Sequence, residues 1–182
     1  MPAGAPIDVS RWAPLCLTRM GSPEPLFRVL LVCTGNTCRS PMAAGALIRL
    51  LGPDAARIVV ESAGTAAWDN QPATEPSLQV AARAGVDLTA HRSRRLTPAM
   101  VRAADLVLVM ERGHQTAVRA LGGDADRTHV LSEWPAPGEP GLEISDPFGA
   151  SIEAYEECWR RIQRHLERVV PVIREASRAR SA

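Results

Sequence analysis

Apolar residues along the chain fall into two recurring patterns. Short stretches rich in Val, Leu and Ile at residues 29–32, 57–61, 106–110 and 129–131 read as strands, the first an unbroken apolar run and so a buried one. Between them, apolar positions recur at helical spacing. Met42, Ala46, Leu47 and Leu50 predict a helix over 41–51, stopped by Gly52-Pro53. Further helices are predicted over 74–84, ended by Gly85, and over 111–121, ended by Gly122-Gly123; Thr97-Pro98 starts a shorter one. A last helix over 151–177 carries an apolar stripe of Ile152, Tyr155, Trp159, Ile162, Leu166, Val169 and Ile173, and Pro171 should kink it.

Strands that alternate with helices predict an α/β protein, a parallel sheet with helices on both faces, in three α/β/α layers. Such sheets bind ligands outside the carboxyl ends of their strands, where strand order reverses. The loop after the first strand is the first candidate place.

A chain of 182 residues fits one domain with a sizeable core, and its 46% hydrophobic and 23% charged residues are ordinary for a globular protein. The formal net charge of +1 argues for neither a nucleic-acid nor an anionic-membrane partner. Arginine greatly outnumbers lysine, which reads as GC-rich coding rather than function. No apolar run approaches the ~20 residues that span a bilayer. The N-terminus lacks a basic segment followed by an apolar one, so no signal peptide is expected. Cys16, Cys33, Cys38 and Cys158 form no CxxC pair or second ligand cluster, so no metal or other cofactor is expected. They read as free thiols in a reducing, cytoplasmic setting. Residues 1–26 hold five prolines and little periodicity and read as a loosely ordered extension, with Met20 an alternative start; residues 27–182 form the domain.

The chemistry concentrates in FRVLLVCTGNTCRSP, residues 27–41. A strand enters the loop, and Ser40-Pro41 reads as a helix start, Ser as cap and Pro at the first helical position. Unpaired amides and the helix dipole then converge on one point and make an anion site. Cys33 opens the loop and Arg39 closes it, a Cys-x5-Arg spacing that sets a sulfur and a guanidinium around the same centre. An ordinary turn with a buried cysteine would not explain Arg39. No Gly-x4-Gly-Lys-Ser/Thr is present, and no G-x-G-x-x-G follows a strand.

The stretch VCTGNTCRSPMA resembles the signature loop of the low-molecular-weight protein tyrosine phosphatase family, and its CTGNTCRS form resembles the bacterial protein-arginine phosphatase branch. The resemblance runs over residues 27 to 175 in order and spacing. It implies a four-stranded parallel sheet of order 2-1-3-4. It implies Cys33 as a nucleophile that forms a phosphocysteine, its pKa lowered by the helix N-terminus and nearby cations. Arg39 presents a planar fork to two phosphoryl oxygens, helped by the amides of Thr34, Gly35, Asn36, Thr37, Cys38 and Arg39. Gly35 is expected to supply a positive φ. Beyond its cap role, Ser40 would donate a hydrogen bond to the sulfur. Asn36, Ser62 and His91 match positions that hold the loop in shape, although His91 alone reads equally as an exposed loop histidine. Asp146, in Ser-Asp-Pro-Phe-Gly, is otherwise turn chemistry; it matches the general acid that protonates the leaving group and then activates water. The family also suggests a Cys33–Cys38 disulfide that protects the nucleophile from irreversible oxidation. Cys16 and Cys158 carry no signal.

Four activities compete. Thr37 stands where tyrosine enzymes usually carry a bulky aliphatic residue and the arginine branch carries threonine. Phe148-Gly149 stands where tyrosine enzymes of higher organisms carry paired tyrosines. Both residues favour protein phosphoarginine as substrate, with phosphotyrosine the alternative. An arsenate reductase needs two further relay cysteines, and only Cys158 follows Cys38. A non-catalytic phosphoprotein-binding module should have lost the nucleophile or the acid. The expected partners are phosphorylated proteins, met by a monomer with no nucleic-acid or membrane partner.

Overall fold

The computed structural model of the protein describes residues 26–135 and 143–181. Four parallel strands form one sheet: β1 (Phe27–Cys33), β2 (Ile58–Gly64), β3 (Leu106–Val109) and β4 (Thr128–Val130). Their order is β2-β1-β3-β4, as the family resemblance implies. β1 is central, and its register pairs Cys33 with Gly64 on one side and Val32 with Val109 on the other. The order reverses beside β1, so the loop leaving Cys33 opens at the switch point.

Among the described residues five α-helices cover the sheet: α1 (Arg39–Leu51), α2 (Glu75–Arg83), α3 (Pro98–Ala103), α4 (Arg112–Ala120) and α5 (Ile152–Ser181). The two-residue period of the strands sorts the core into two layers. Val29 and Leu31 of β1, with Leu106 and Leu108 of β3, pack against α1, α2 and α5. Leu30 and Val32, with Val107 and Val109, pack against α3 and α4 through Val101, Ala104 and Val118. On α5, Tyr155, Trp159, Ile162, Leu166, Val169 and Ile173 are all buried, as the stripe predicts. The helix continues through Pro171 to Ser181.

Element boundaries differ from the sequence reading at the active end. β2 runs on to Gly64, because Ser62, Ala63 and Gly64 pair with Leu31, Val32 and Cys33. α1 begins at Arg39, two residues before Pro41, with Cys38 at the cap position and no side-chain cap bond. Ser40 is therefore not a cap: it lies inside the first turn, and its hydroxyl turns toward the sulfur of Cys33. Thr97 does cap α3, accepting from the Met100 amide at 3.3 Å. Among the described residues no helix is long and apolar enough to cross a membrane.

Candidate active site

The loop of residues 34–38 joins the buried end of β1 to the first turn of α1. Its shape rests on Asn36, the one loop residue with positive φ, at 54°. Asn tolerates that conformation because its short side chain bonds locally. Every polar group of Asn36 is engaged. Its Nδ2 donates to Ser40 Oγ at 2.8 Å and to Ser62 Oγ at 2.9 Å, while its Oδ1 accepts from the Arg94 amide at 2.9 Å. Its amide points at Cys33 Sγ at 3.2 Å, and its carbonyl accepts from His91 Nε2 at 2.7 Å. Ser62 and His91 thus belong to the supporting network, and the exposed reading of His91 does not hold. Burial, then Arg94 and Arg92, push the His91 pKa down, while its bond to the Asn36 carbonyl opposes them.

Gly35 does not supply the positive φ expected of it. A Cβ there would only touch Thr37 Oγ1 at 3.5 Å, an ordinary contact. The close approach belongs to Gly64, where a Cβ would meet the Thr34 carbonyl at 2.4 Å, Ala67 Cβ at 2.8 Å and the Asn36 amide at 2.9 Å. The Ala66 amide donates to that same Thr34 carbonyl at 3.0 Å. A β-strand glycine of this kind marks a close backbone approach, a signal that sequence alone offers only weakly.

Cys33 is buried at the floor of the site, with Ser40 Oγ 3.0 Å from its sulfur. Because Ser40 Oγ already accepts from Asn36 Nδ2, its hydrogen is free for the sulfur, which lies closer than the Ala63 carbonyl at 3.4 Å. The expected lowering of the Cys33 pKa is not the net effect in this arrangement. Burial pushes the thiol up, and Ser40, Arg39 and the Asn36 amide pull it down by less. Arg39 contributes modestly because its charge is already answered elsewhere.

Arg39 is 1% exposed, and its guanidinium is gripped on several sides. Nη1 pairs with Glu111 and donates to the Ile144 carbonyl at 3.0 Å; Nη2 pairs with Asp146 and donates to Thr34 Oγ1 at 3.2 Å. Burial opposes the charge, but Glu111 and Asp146 overcome it, so Arg39 stays cationic. Asp146 also accepts from the Phe148 amide at 3.2 Å, the turn chemistry read from the sequence.

Thr34, Gly35, Thr37, Cys38, Asp146 and Phe148 enclose, with Cys33, a cavity of about 210 Å³. All the expected site residues therefore converge, either on this cavity or on the network beneath it. A wider groove of about 690 Å³ shares Gly35, Thr37 and Phe148 with it and is flanked by Trp68. Trp68 and Phe148 are 82% and 71% exposed.

Sequence reasoning missed three side chains. Glu111 follows β3 and reaches Arg39; His114 on α4 lies 2.9 Å from Thr34 Oγ1 through Nε2. Tyr155 on α5 lies 3.4 Å from Cys38 Sγ, and the Thr74 hydroxyl donates to it at 3.4 Å. Burial, then the Cys38 contact, push the Tyr155 pKa up to about 12. Cys33, Cys38 and Cys158 are free thiols, and Cys16 lies outside the described residues. Among the described residues, no group of three or more His, Cys, Asp or Glu is placed to hold a metal ion.

Comparison with known proteins matches residues 28–179 to the family model for low molecular weight phosphotyrosine protein phosphatase. The chain is 35% identical over 150 residues to the probable low molecular weight protein-tyrosine-phosphatase EpsP of Ralstonia nicotianae, covering 80% of this chain and 95% of that one. It is equally 35% identical over 144 residues to the protein-arginine-phosphatase of Geobacillus stearothermophilus, covering 79% and 93%. A solved structure of a YwlE arginine phosphatase mutant with a phosphorylated active-site serine superposes with a TM-score of 0.76 at 28% identity, covering 84% and 99%.

Proposed function

Since the chain belongs to the low molecular weight phosphotyrosine protein phosphatase family and is a hydrolase of that cysteine-based class, we propose that it hydrolyses phosphoarginine on proteins through a phosphocysteine at Cys33. The observation that carries the choice of substrate is Thr37 on the wall of the cavity that Cys33 and Asp146 share. A phosphoarginine places a polar guanidinium beyond its phosphorus, and a threonine there offers a hydroxyl without the bulk of a longer aliphatic side chain. An apolar side chain would leave that guanidinium desolvated and unpartnered.

In this mechanism the phosphoryl group takes the place of a carboxylate on Arg39. Cys33 attacks the phosphorus, with the Ser40 hydroxyl and the Asn36 amide stabilising its sulfur. Asp146, released from Arg39 and carrying the proton that the Cys33 thiol gives up on attack, pairs with the departing guanidinium and passes that proton to its nitrogen. The same carboxylate then draws a proton from the water that opens the thiophosphate.

A tyrosine phosphatase is the second reading, supported by the exposed faces of Trp68 and Phe148 beside the cavity. Two substitutions test the proposal. Cys33→Ser should abolish turnover yet still bind vanadate, because the loop amides and Arg39 survive. Thr37→Ile should lower kcat/KM on phosphoarginine peptides by about ten- to a hundredfold, from an unmet polar group, while sparing phosphotyrosine peptides. Equal losses on both substrates would remove Thr37 as the selector.

A further inference from the structure

His114 is a buried histidine that the mechanism above leaves without a task. It is 5% exposed, and its Nδ1 has no hydrogen-bond partner among the described residues. Its Nε2 lies 2.9 Å from Thr34 Oγ1 and 3.9 Å from Glu111 Oε1. Thr34 Oγ1 also accepts from Arg39 Nη2 at 3.2 Å. One ring hydrogen must be placed on this histidine, and the two choices differ in what they leave unpaired.

With the hydrogen on Nδ1, a buried N–H donor has no acceptor, which native interiors rarely tolerate. With the hydrogen on Nε2, the donor meets Thr34 Oγ1 and faces the Glu111 carboxylate. Nδ1 is then an unpaired acceptor, the cheaper of the two losses. The second arrangement fixes Thr34 as well. Its oxygen accepts from His114 and from Arg39, which fills both lone pairs. Its one hydrogen therefore points away from both, and Thr34 is exposed and lines the cavity above Cys33.

We propose that the Thr34 hydroxyl is an additional donor to the phosphoryl group, and that His114 is the positioning residue that turns it toward the cavity. The inference rests on the phosphatase reading of the loop, but on neither choice of leaving group. His114 touches no reacting atom and acts only through Thr34. The Thr34 oxygen also braces Arg39, so the same contact orients the guanidinium fork.

The test is a double-mutant cycle on the full chain, with para-nitrophenyl phosphate turnover and competitive inhibition by inorganic phosphate as readouts. Thr34→Val removes the hydroxyl at constant shape and should lower kcat/KM and phosphate affinity by about tenfold. His114→Leu should cost a similar factor. The Thr34→Val/His114→Leu protein should be no worse than either single variant, because both remove one interaction. His114→Gln carries an N–H that reaches the Nε2 position and should recover most of the loss.

Multiplying losses in the double variant would overturn the proposal, as would a Gln variant as poor as Leu. A purely structural His114 would lower the melting temperature equally in both Thr34 backgrounds and leave phosphate affinity unmoved. Failure of the phosphatase reading itself shows separately, as turnover that persists in Cys33→Ser.

Discussion

Arg39 and Asp146 are ion-paired with each other, the guanidinium 1% and the carboxylate 40% exposed. In the proposed mechanism these are the phosphoryl-binding group and the general acid, and in the resting arrangement they neutralise one another. Glu111 completes the grip from the other side. On that reading an arriving phosphoryl group displaces the carboxylate from Arg39, which leaves Asp146 able to carry the proton of the Cys33 thiol to the leaving atom.

Asp146→Asn should therefore separate binding from turnover. Loss of a partly solvated ion pair worth about 1 kcal/mol or less should tighten inorganic phosphate binding by up to about fivefold. Turnover should fall, and fall most for substrates with poor leaving groups, because good ones need little protonation. Inhibition constants for phosphate and rates on a series of aryl phosphates measure the two effects. Weaker phosphate binding, or an equal loss across the series, would contradict the assigned role of Asp146.

Gly64→Ala tests the packing of the loop on β2. The added methyl group would collide with the Thr34 carbonyl and the Asn36 amide, both backbone atoms that yield only if the loop moves. The expected cost is about 1–3 kcal/mol of stability. A fall in kcat/KM of roughly tenfold or more should accompany it, because the displaced loop carries the reacting geometry. Gly35→Ala should be milder on both counts. Thermal unfolding and steady-state kinetics of the two variants compare them, and the reverse ranking would show the close approach to be unimportant.

That contrast marks what was legible in the sequence. The alternation of strands and helices gave the layers, whereas unbroken apolar runs such as residues 29–32 carry no alternation, so which strand side chains face which helices came only with the structure. Cys33, Arg39 and Asn36 could be read because they sit on one short loop, where spacing in sequence is spacing in space. Ser40 was read as a cap because Ser before Pro is a cap pattern, whereas the helix starts at Arg39 and frees its hydroxyl for the sulfur. Glu111, His114 and Gly64 reach the loop from the ends of β3, α4 and β2, and no local pattern announces contacts 28 to 80 residues apart. The direction of the Cys33 pKa was missed for a related reason. Its neighbours were legible, but neither the depth of its burial nor the carboxylates on Arg39 were.

Stability should depend on pH in a defined direction. Burial pushes the pKa values of His91, His114 and His129 below the ordinary 6.5. The unfolded chain then takes up protons first as the pH falls below about 6.5, so the stability held by these neutral rings is lost on acidification. Burial pushes Cys33 above the ordinary 9.0, and Cys158 and Tyr155 up to about 12. Their contribution is lost as the pH rises above about 9, where the unfolded thiols ionise first. Urea midpoints measured from pH 5 to 10 should be highest between about 7 and 9. A midpoint that rises on going from pH 7.5 to 5.5 would contradict the burial of these histidines.

Mild peroxide should inactivate the enzyme reversibly if Cys38 protects Cys33 through a disulfide. Mass spectrometry should find that bond, and a thiol reductant should restore activity. In Cys38→Ser the same dose should leave sulfonic acid at Cys33. Irreversible loss in the unsubstituted protein at that dose would deny Cys38 the role.

The central claim is that the leaving group is the guanidinium of a protein arginine. It is tested most directly by kcat/KM of the unsubstituted protein on two peptides of one sequence, one bearing phosphoarginine and the other phosphotyrosine. With Thr37 and Asp146 on the cavity wall, phosphoarginine should be preferred by roughly tenfold or more, the cost of an unmet polar group. An equal or greater value on phosphotyrosine would contradict the account and make the protein a tyrosine phosphatase.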